Sequence, residues 1–390
     1  MDNAGGSQTL LTVAEKVSEH LLLRNAQIGG SYPLSLKAAE SLYEGRKAVM
    51  EIVNASRPEE IVFAPTSTVA LQNLSRSLAS RFSEGDEVVI TNFDHEANIG
   101  PWVALEEQGV RIRFWSIDRD TLEPDLNELE DLIGPRTKMV CVTHVSNILG
   151  TVNPIKEISG IAHLKGALVC VDSVAFAPHR AVDVSELDAD FLVFSAYKTY
   201  GPHIAAMYGR YDLLLELDNL YHYFYGKDKV PAKLEPGNAN YELAYSLTAV
   251  RDYLAAIGAA SVPGKATVRE KIEAAFGLIT HHECSLSESL LGYLNSRADV
   301  NVIGRRDGSD RDRVPTISFT VDGRDPAEIA RDLEAFKLAA RFGDFHARRL
   351  IEHLGLAGRN GVVRLSLVHY NTEREVDRLI GALDEILLLP

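Results

Sequence analysis

Cysteine is scarce in this chain and positive charge is in short supply. Three cysteines among 390 residues are too few for a disulfide framework. Cys141 and Cys170 lie inside apolar runs, where a thiol acts as a small hydrophobe. Cys284 follows His281, His282 and Glu283, but no second ligand pair stands at a recognised metal spacing, so this stretch reads as an exposed helix end. The set suits a reducing cytoplasm. Lysine and arginine number 40 against 55 aspartates and glutamates, a net charge of -15. That deficit argues against nucleic acid or an anionic membrane as a partner. No apolar run has the length of a membrane span. Met1 to Gly6 shows no basic stretch followed by an apolar one, so no secretory leader is expected. The remaining composition, 46% hydrophobic and 24% charged, is that of a globular protein with a large core.

Apolar runs alternate with helical patterns from about Ile61 to Met207. Strands are expected at Ile61–Phe63, Val88–Ile90, Ile112–Trp115, Met139–Val142, Leu168–Asp172 and Phe191–Phe194. Helices are expected from Ser67, from Glu96 to near Gly109, from Leu126 to Ile133 and from Ile155 to His163. This is βα alternation, which predicts an α/β fold with a mostly parallel sheet covered on both faces. From about Tyr253 long helices take over, with strands at Thr316–Phe319 and Val362–Leu367. The expected division is a large domain over 31–255, a smaller α+β domain over 256–390, and an N-terminal segment, 1–30, that joins the smaller one. Residues 304–310 read as a solvated turn.

Several polar residues follow these strands directly, where ligands bind in open α/β sheets. Asp172 closes one strand, and Lys198 lies on the turn Ser195-Ala196-Tyr197-Lys198-Thr199. A lysine that forms a Schiff base and a buried carboxylate that keeps a pyridine nitrogen protonated suit pyridoxal 5'-phosphate (PLP). Thr66-Ser67-Thr68 stands at a helix start, which can hold a phosphate or simply cap the helix. His95, in Asp94-His95-Glu96-Ala97-Asn98, can stack on a ring and exchange protons, or be a loop histidine. Asn147 can donate to the cofactor's phenolic oxygen, or make an Asx turn. Keeping the bland reading everywhere requires five separate coincidences. Arg341 and Arg364 can each grip a substrate carboxylate, or form surface ion pairs.

The motifs Asn98-Ile99-Gly100-Pro101-Trp102, Val145-Ser146-Asn147-Ile148-Leu149-Gly150, Val171-Asp172-Ser173, Lys198-Thr199-Tyr200-Gly201-Pro202 and Arg364-Leu365-Ser366 resemble those of fold type I PLP enzymes. Within that fold the chain is similar to the class V aminotransferase superfamily and its cysteine-desulfurase-like branch, over nearly its whole length. The resemblance implies a large domain with a seven-stranded sheet and a small C-terminal domain. It implies that Lys198 carries the cofactor and shuttles protons at the substrate α-carbon. Asp172 pairs with the pyridine nitrogen and His95 stacks on the ring. Asn147 faces the phenolic oxygen or the substrate carboxylate, and Ser67, Thr68, Ser195 and Tyr197 hold the phosphate. Arg364 binds the α-carboxylate of a small amino acid, with Arg341 nearby. Tyr197 departs from the histidine common in desulfurases. Glu235-Pro236-Gly237-Asn238 occupies the place of a segment that reaches the neighbouring subunit's phosphate, which implies a homodimer with shared sites. Asn238 replaces the usual threonine there.

Two departures bear on the reaction. His346 stands where one group of desulfurases has the cysteine that receives sulfur, and no cysteine lies between Arg341 and Arg364; a persulfide needs a thiolate. Ala175 replaces a histidine or glutamine that touches the phenolic oxygen, leaving one donor fewer and space for a second substrate. Ala175 and Pro178-His179-Arg180 resemble fungal decarboxylative aldolases of this branch, which join an aspartate-derived enamine to an aldehyde. The expectation is a PLP-dependent lyase or carbon–carbon bond-forming enzyme. The alternatives are an aminotransferase, a desulfurase or C–S lyase without a protein persulfide, and a non-enzymatic scaffold. The aromatic stretch His222-Tyr223-Phe224-Tyr225, with Lys227 and Lys229, could line an entrance or a dimer contact.

Overall fold

A computed structural model describes residues 1–308 and 312–388. Residues 309 and 310 of the expected turn therefore lie outside the described residues. Seven strands form the main sheet: β1 (Ile61–Ala64), β2 (Glu87–Thr91), β3 (Arg111–Trp115), β4 (Thr137–Thr143), β5 (Leu168–Asp172), β6 (Phe191–Ser195) and β7 (Ala205–Gly209). Their order is β1-β7-β6-β5-β4-β2-β3. Pairing is parallel from β6 through β5, β4 and β2 to β3, and β7 runs antiparallel to both β1 and β6. The sheet is thus mixed, with one reversed strand. Central strands such as Val169-Cys170-Val171 and Val140-Cys141-Val142 are apolar on both faces because helices cover both, and all six residues are fully buried.

The second sheet has four antiparallel strands, β8 (Val300–Ile303), β9 (Thr316–Val321), β10 (Arg341–Gly343) and β11 (Val362–Ser366), in the order β10-β11-β9-β8. β8 and β10 were not expected from the sequence. The N-terminal residues join this sheet: Asp2 bridges Ser366 in parallel, and Ser366 N–H donates to Met1 O at 2.9 Å. Helix Leu11–Leu23 then packs on helix Tyr241–Gly258, as does helix Pro33–Val53.

Two local expectations need correction. The helix expected from Glu96 to Gly109 is three short pieces, Glu96–Asn98, Gly100–Val103 and Ala104–Gln108. Pro101 has no N–H to continue a helix and suits a first turn instead. His281 to Cys284 is not a helix end but mid-helix, within Val268–Ser296. There Glu283 is fully buried, accepting from Arg180 Nη1 at 3.2 Å and meeting His179 Nδ1 at 3.1 Å. No helix among the described residues is long and apolar enough to cross a membrane.

Candidate active site

β4, β5 and β6 end on Thr143, Asp172 and Ser195, and the register sets Thr143 opposite Asp172. The turns after β1, β2 and β4 bring Ser67 and Thr68, His95, and Asn147 to the same edge. Together with Ala175, Tyr197 and Lys198 they line a cavity of about 150 Å³. Ser195 lies beside it, its hydroxyl donating to Ser67 Oγ at 3.2 Å. Helix Ser67–Leu78 starts at this cavity, and its cap is Thr66, which accepts from Val69 N–H at 3.2 Å. Capping therefore does not consume the Ser67 and Thr68 hydroxyls.

Lys198 sits in a short 3-10 turn after β6. Burial, reinforced by the Arg364 charge, brings its amine down to about 8, against the opposing pull of Asp172. Asp172 accepts from Val174 N–H at 2.9 Å. Burial raises its carboxyl to about 6, with that hydrogen bond and Lys198 opposing. His95 accepts from Ala97 N–H at Nδ1, at 3.0 Å, so the neutral ring carries its proton on Nε2. Burial first, then the Lys198 charge, lowers it to about 4. The residue before it had no assigned role: Asp94 accepts from His95 N–H and Asn98 Nδ2, both at 2.7 Å, and pins the loop. Burial and neighbouring Asp172 push its carboxyl well above the usual range.

Asn147 donates through Nδ2 to Phe345 O at 2.8 Å, while its buried Oδ1 has no partner. Its backbone oxygen accepts from Arg364 Nη1 at 3.1 Å. Arg364, 3% exposed, lies 3.8 Å above the Phe345 ring. Its Nε has no partner, and burial lowers it to about 10. β10 pairs Arg341 directly with Arg364, but Arg341 is mostly exposed. Asn238 does not line this cavity. It lines another, of about 370 Å³, with Pro65, Asn73 and His203, and His203 in turn stacks on Tyr197 at 5.0 Å.

His346 lines a wider cleft of about 850 Å³ that shares Thr68, His95 and Tyr197 with the cavity. Its ring centroid is 5.2 Å from that of His95. None of the three cysteines lines either space: Cys141 and Cys170 are buried in strands and Cys284 lies on a helix.

The groups at hand fit a phosphorylated pyridine aldehyde. An amine, a buried carboxylate, a neutral imidazole and the Ser67 and Thr68 hydroxyls at a helix start face one small space, with the Ser195 hydroxyl bonded to Ser67 beside it. Unpartnered Asn147 Oδ1 and Arg364 Nε leave an acceptor and a donor for a bound molecule.

The family model described as Aminotransferase class-V matches residues 1–379. The chain is 38% identical to the Aminotransferase-like protein FGM3 of Gibberella zeae, over 99% of this chain and 94% of that protein. It is 31% identical to the Cysteine desulfurase-like protein ustD of Aspergillus flavus, over 99% and 86%. The solved apo structure of cysteine desulfurase from Thermococcus onnurineus NA1 superposes with a TM-score of 0.87 at 28% identity, covering 99% of this chain and 94% of that one. The chain belongs to the class-V aminotransferase family, in its cysteine-desulfurase-like branch, and is a PLP-dependent enzyme.

Proposed function

We propose that this enzyme removes the β-carboxyl group of a small L-amino acid such as aspartate and can join the resulting carbon to an aldehyde. The observation that sets this reading apart from sulfur transfer is that no thiol stands beside the Lys198 cavity, with His346 in the adjoining cleft. Sulfur transfer to the protein needs a nucleophilic cysteine. The small Ala175 on the cavity wall also supports room for a second reactant.

When bound, PLP supplies an electron sink for negative charge next to the amine-bearing carbon. Ser67, Thr68 and Ser195 would hold its phosphate, with Tyr197 beside them, and Asp172 would face its ring nitrogen. Lys198, with an amine near 8, is suited to take and return the α-proton at neutral pH. Neutral His95 presents Nε2–H without adding a charge. Arg364 would hold the α-carboxylate, and Asn147 Oδ1 would accept from a donor on the bound molecule. The β-carboxyl leaves as carbon dioxide and its bonding electrons stay on the β-carbon. That carbon takes a proton to give alanine, or bonds the aldehyde carbon, whose oxygen then takes the proton.

A shared homodimeric site belongs to the same reading. Asn238 lies away from its own Lys198 cavity, and Tyr223 and Phe224 are 97% and 66% exposed, which supports a role against a second copy.

The test is incubation of the loaded enzyme with L-aspartate or L-cysteine, followed by product and intact-protein mass spectrometry. Carbon dioxide and alanine from aspartate are expected. Alanine from cysteine with a sulfur atom left on the protein would overturn the reading.

A further inference from the structure

We infer that Asp2 is an internal carboxylate that competes with the substrate's carboxylate for Arg364 and so sets how tightly amino acids are held. The inference rests on the reading of Arg364 as the carboxylate clamp.

Arg364 is oriented from two sides that leave one edge open. Its Nη1 donates to Asn147 O at 3.1 Å and its plane covers the Phe345 ring at 3.8 Å. The remaining edge is Nε and Nη2, the pair that grips a carboxylate side-on. Nε is buried without a partner. Nη2 stands 3.7 Å from Asp2 Oδ1, beyond hydrogen-bond reach, and Asp2 Oδ1 is itself buried without a hydrogen bond. Asp2 Oδ2 is 4.0 Å from Arg341 Nε. One carboxylate thus lies between two guanidiniums and satisfies neither. At 3.7 and 4.0 Å neither contact of Asp2 is a hydrogen bond, so an incoming carboxylate that bonds Nε and Nη2 gains contacts that Asp2 does not make and can replace it.

The main chain holds Asp2 in place while leaving its side chain free to turn. The bridge to Ser366, Gly5 N–H to Asp2 O at 3.2 Å, and Asn3 Nδ2 to Ser366 O at 2.9 Å all use backbone or neighbouring groups. The Asp2 side chain is 29% exposed, so it has a route to water. Gly5 leaves the approach uncrowded: a Cβ there would lie 3.2 Å from both Asp2 carboxylate oxygens and 3.3 Å from Arg341 Nη1, closer than ordinary contact. Two arginines against one aspartate leave a single positive charge, which one substrate carboxylate neutralises.

The test uses PLP-loaded enzyme and 2-methylalanine, which has no α-proton to lose, titrated by the change in cofactor absorbance. Propylamine, which lacks the carboxylate, is the control. Asp2→Asn should bind 2-methylalanine about fivefold more tightly than wild type, the size expected for loss of one weak opposing ion pair. Propylamine binding should be unchanged. Asp2→Ser should behave alike, which separates loss of charge from a packing defect of either variant. Weaker binding of 2-methylalanine, or an equal shift for propylamine, would overturn the inference and make Asp2 a structural support for Arg364. Arg364→Ala is measured alongside. If it binds 2-methylalanine as wild type does, the clamp reading itself has failed, whatever the Asp2 variants do.

Discussion

At Ala175 a small side chain stands on the wall of the Lys198 cavity. An imidazole there would add a donor toward the cofactor's phenolic oxygen and weaken that oxygen's hold on the imine proton. Ala175→His should therefore lower the pH midpoint of the cofactor absorbance change; an unchanged midpoint would remove Ala175 from the account. His95 makes a second prediction. Its folded value is depressed from 6.5 to about 4. Above 6.5 the ring is neutral in both states, but between the two values the unfolded chain takes up a proton that the folded chain refuses. Stability is then lost as pH falls through that window. His95→Gln should lose less thermal stability than wild type between about pH 7 and about pH 5, as measured by the melting midpoint. Buried His144, lowered to about 3 by burial, contributes alike to both proteins. That Lys198, Asp172 and His95 stand at one sheet edge was legible because each closes or follows a strand run. Asp2 and Asp94 were in view in the sequence motifs, but nothing local gives them a role. Asp2 acquires one only when β10 and β11 bring Arg341 and Arg364 to it, and Asp94 only when Asn98 and His95 turn back onto it.

Among the elements, the loop 144–151 carries Asn147 and is tied to the second sheet at Gly150. Gly150 has φ +68°, and a Cβ there would come 2.2 Å from Thr316 O. Val314 N–H donates to Gly150 O at 2.9 Å. Gly150→Ala combines a left-handed backbone, about 1–2 kcal/mol, with overpacking, about 1–3 kcal/mol. Urea unfolding should show a loss of roughly 2 kcal/mol or more; a loss below about 0.5 kcal/mol, within the range of ordinary surface changes, would contradict the close approach. β1, β2 and β4 to β6 were readable because strands buried on both faces show as continuous apolar runs, and the half-exposed edge strand β3 was readable from its run Ile112-Arg113-Phe114-Trp115. β10 was not, because it is three residues long and Arg341 and Phe342 are exposed. The buried Glu283 was misread for a related reason: His179 and Arg180 come from a distant part of the chain, and no local pattern announces them.

On the scale of the whole molecule, the segment carrying Asn238 is fixed from beneath. Glu235 is buried against Arg46, with Nη2 to Oε2 at 2.6 Å, and accepts from Phe63 N–H at 2.6 Å. If that segment serves the partner's phosphate, subunit mixing will reveal it. Lys198→Ala and Asn238→Asp homodimers should each be inactive, whereas a mixed population should recover up to about a quarter of wild-type activity. Half the dimers are then mixed, each with one intact site. Sites complete within one subunit would give no recovery, since both sites of a mixed dimer would be defective. The α/β class and the family were legible in the sequence; the reversed β7 was not singled out, because its Ala205–Gly209 run is as apolar and buried as the strands that run the other way.

The most direct measurement is the product formed from L-aspartate and an added aldehyde by the PLP-loaded enzyme, identified by mass spectrometry. The account predicts carbon dioxide and a hydroxy amino acid containing the aldehyde carbon. Conversion of aspartate to its keto acid, with the cofactor left in its amine form and no new carbon–carbon bond, would contradict it and make the enzyme an aminotransferase.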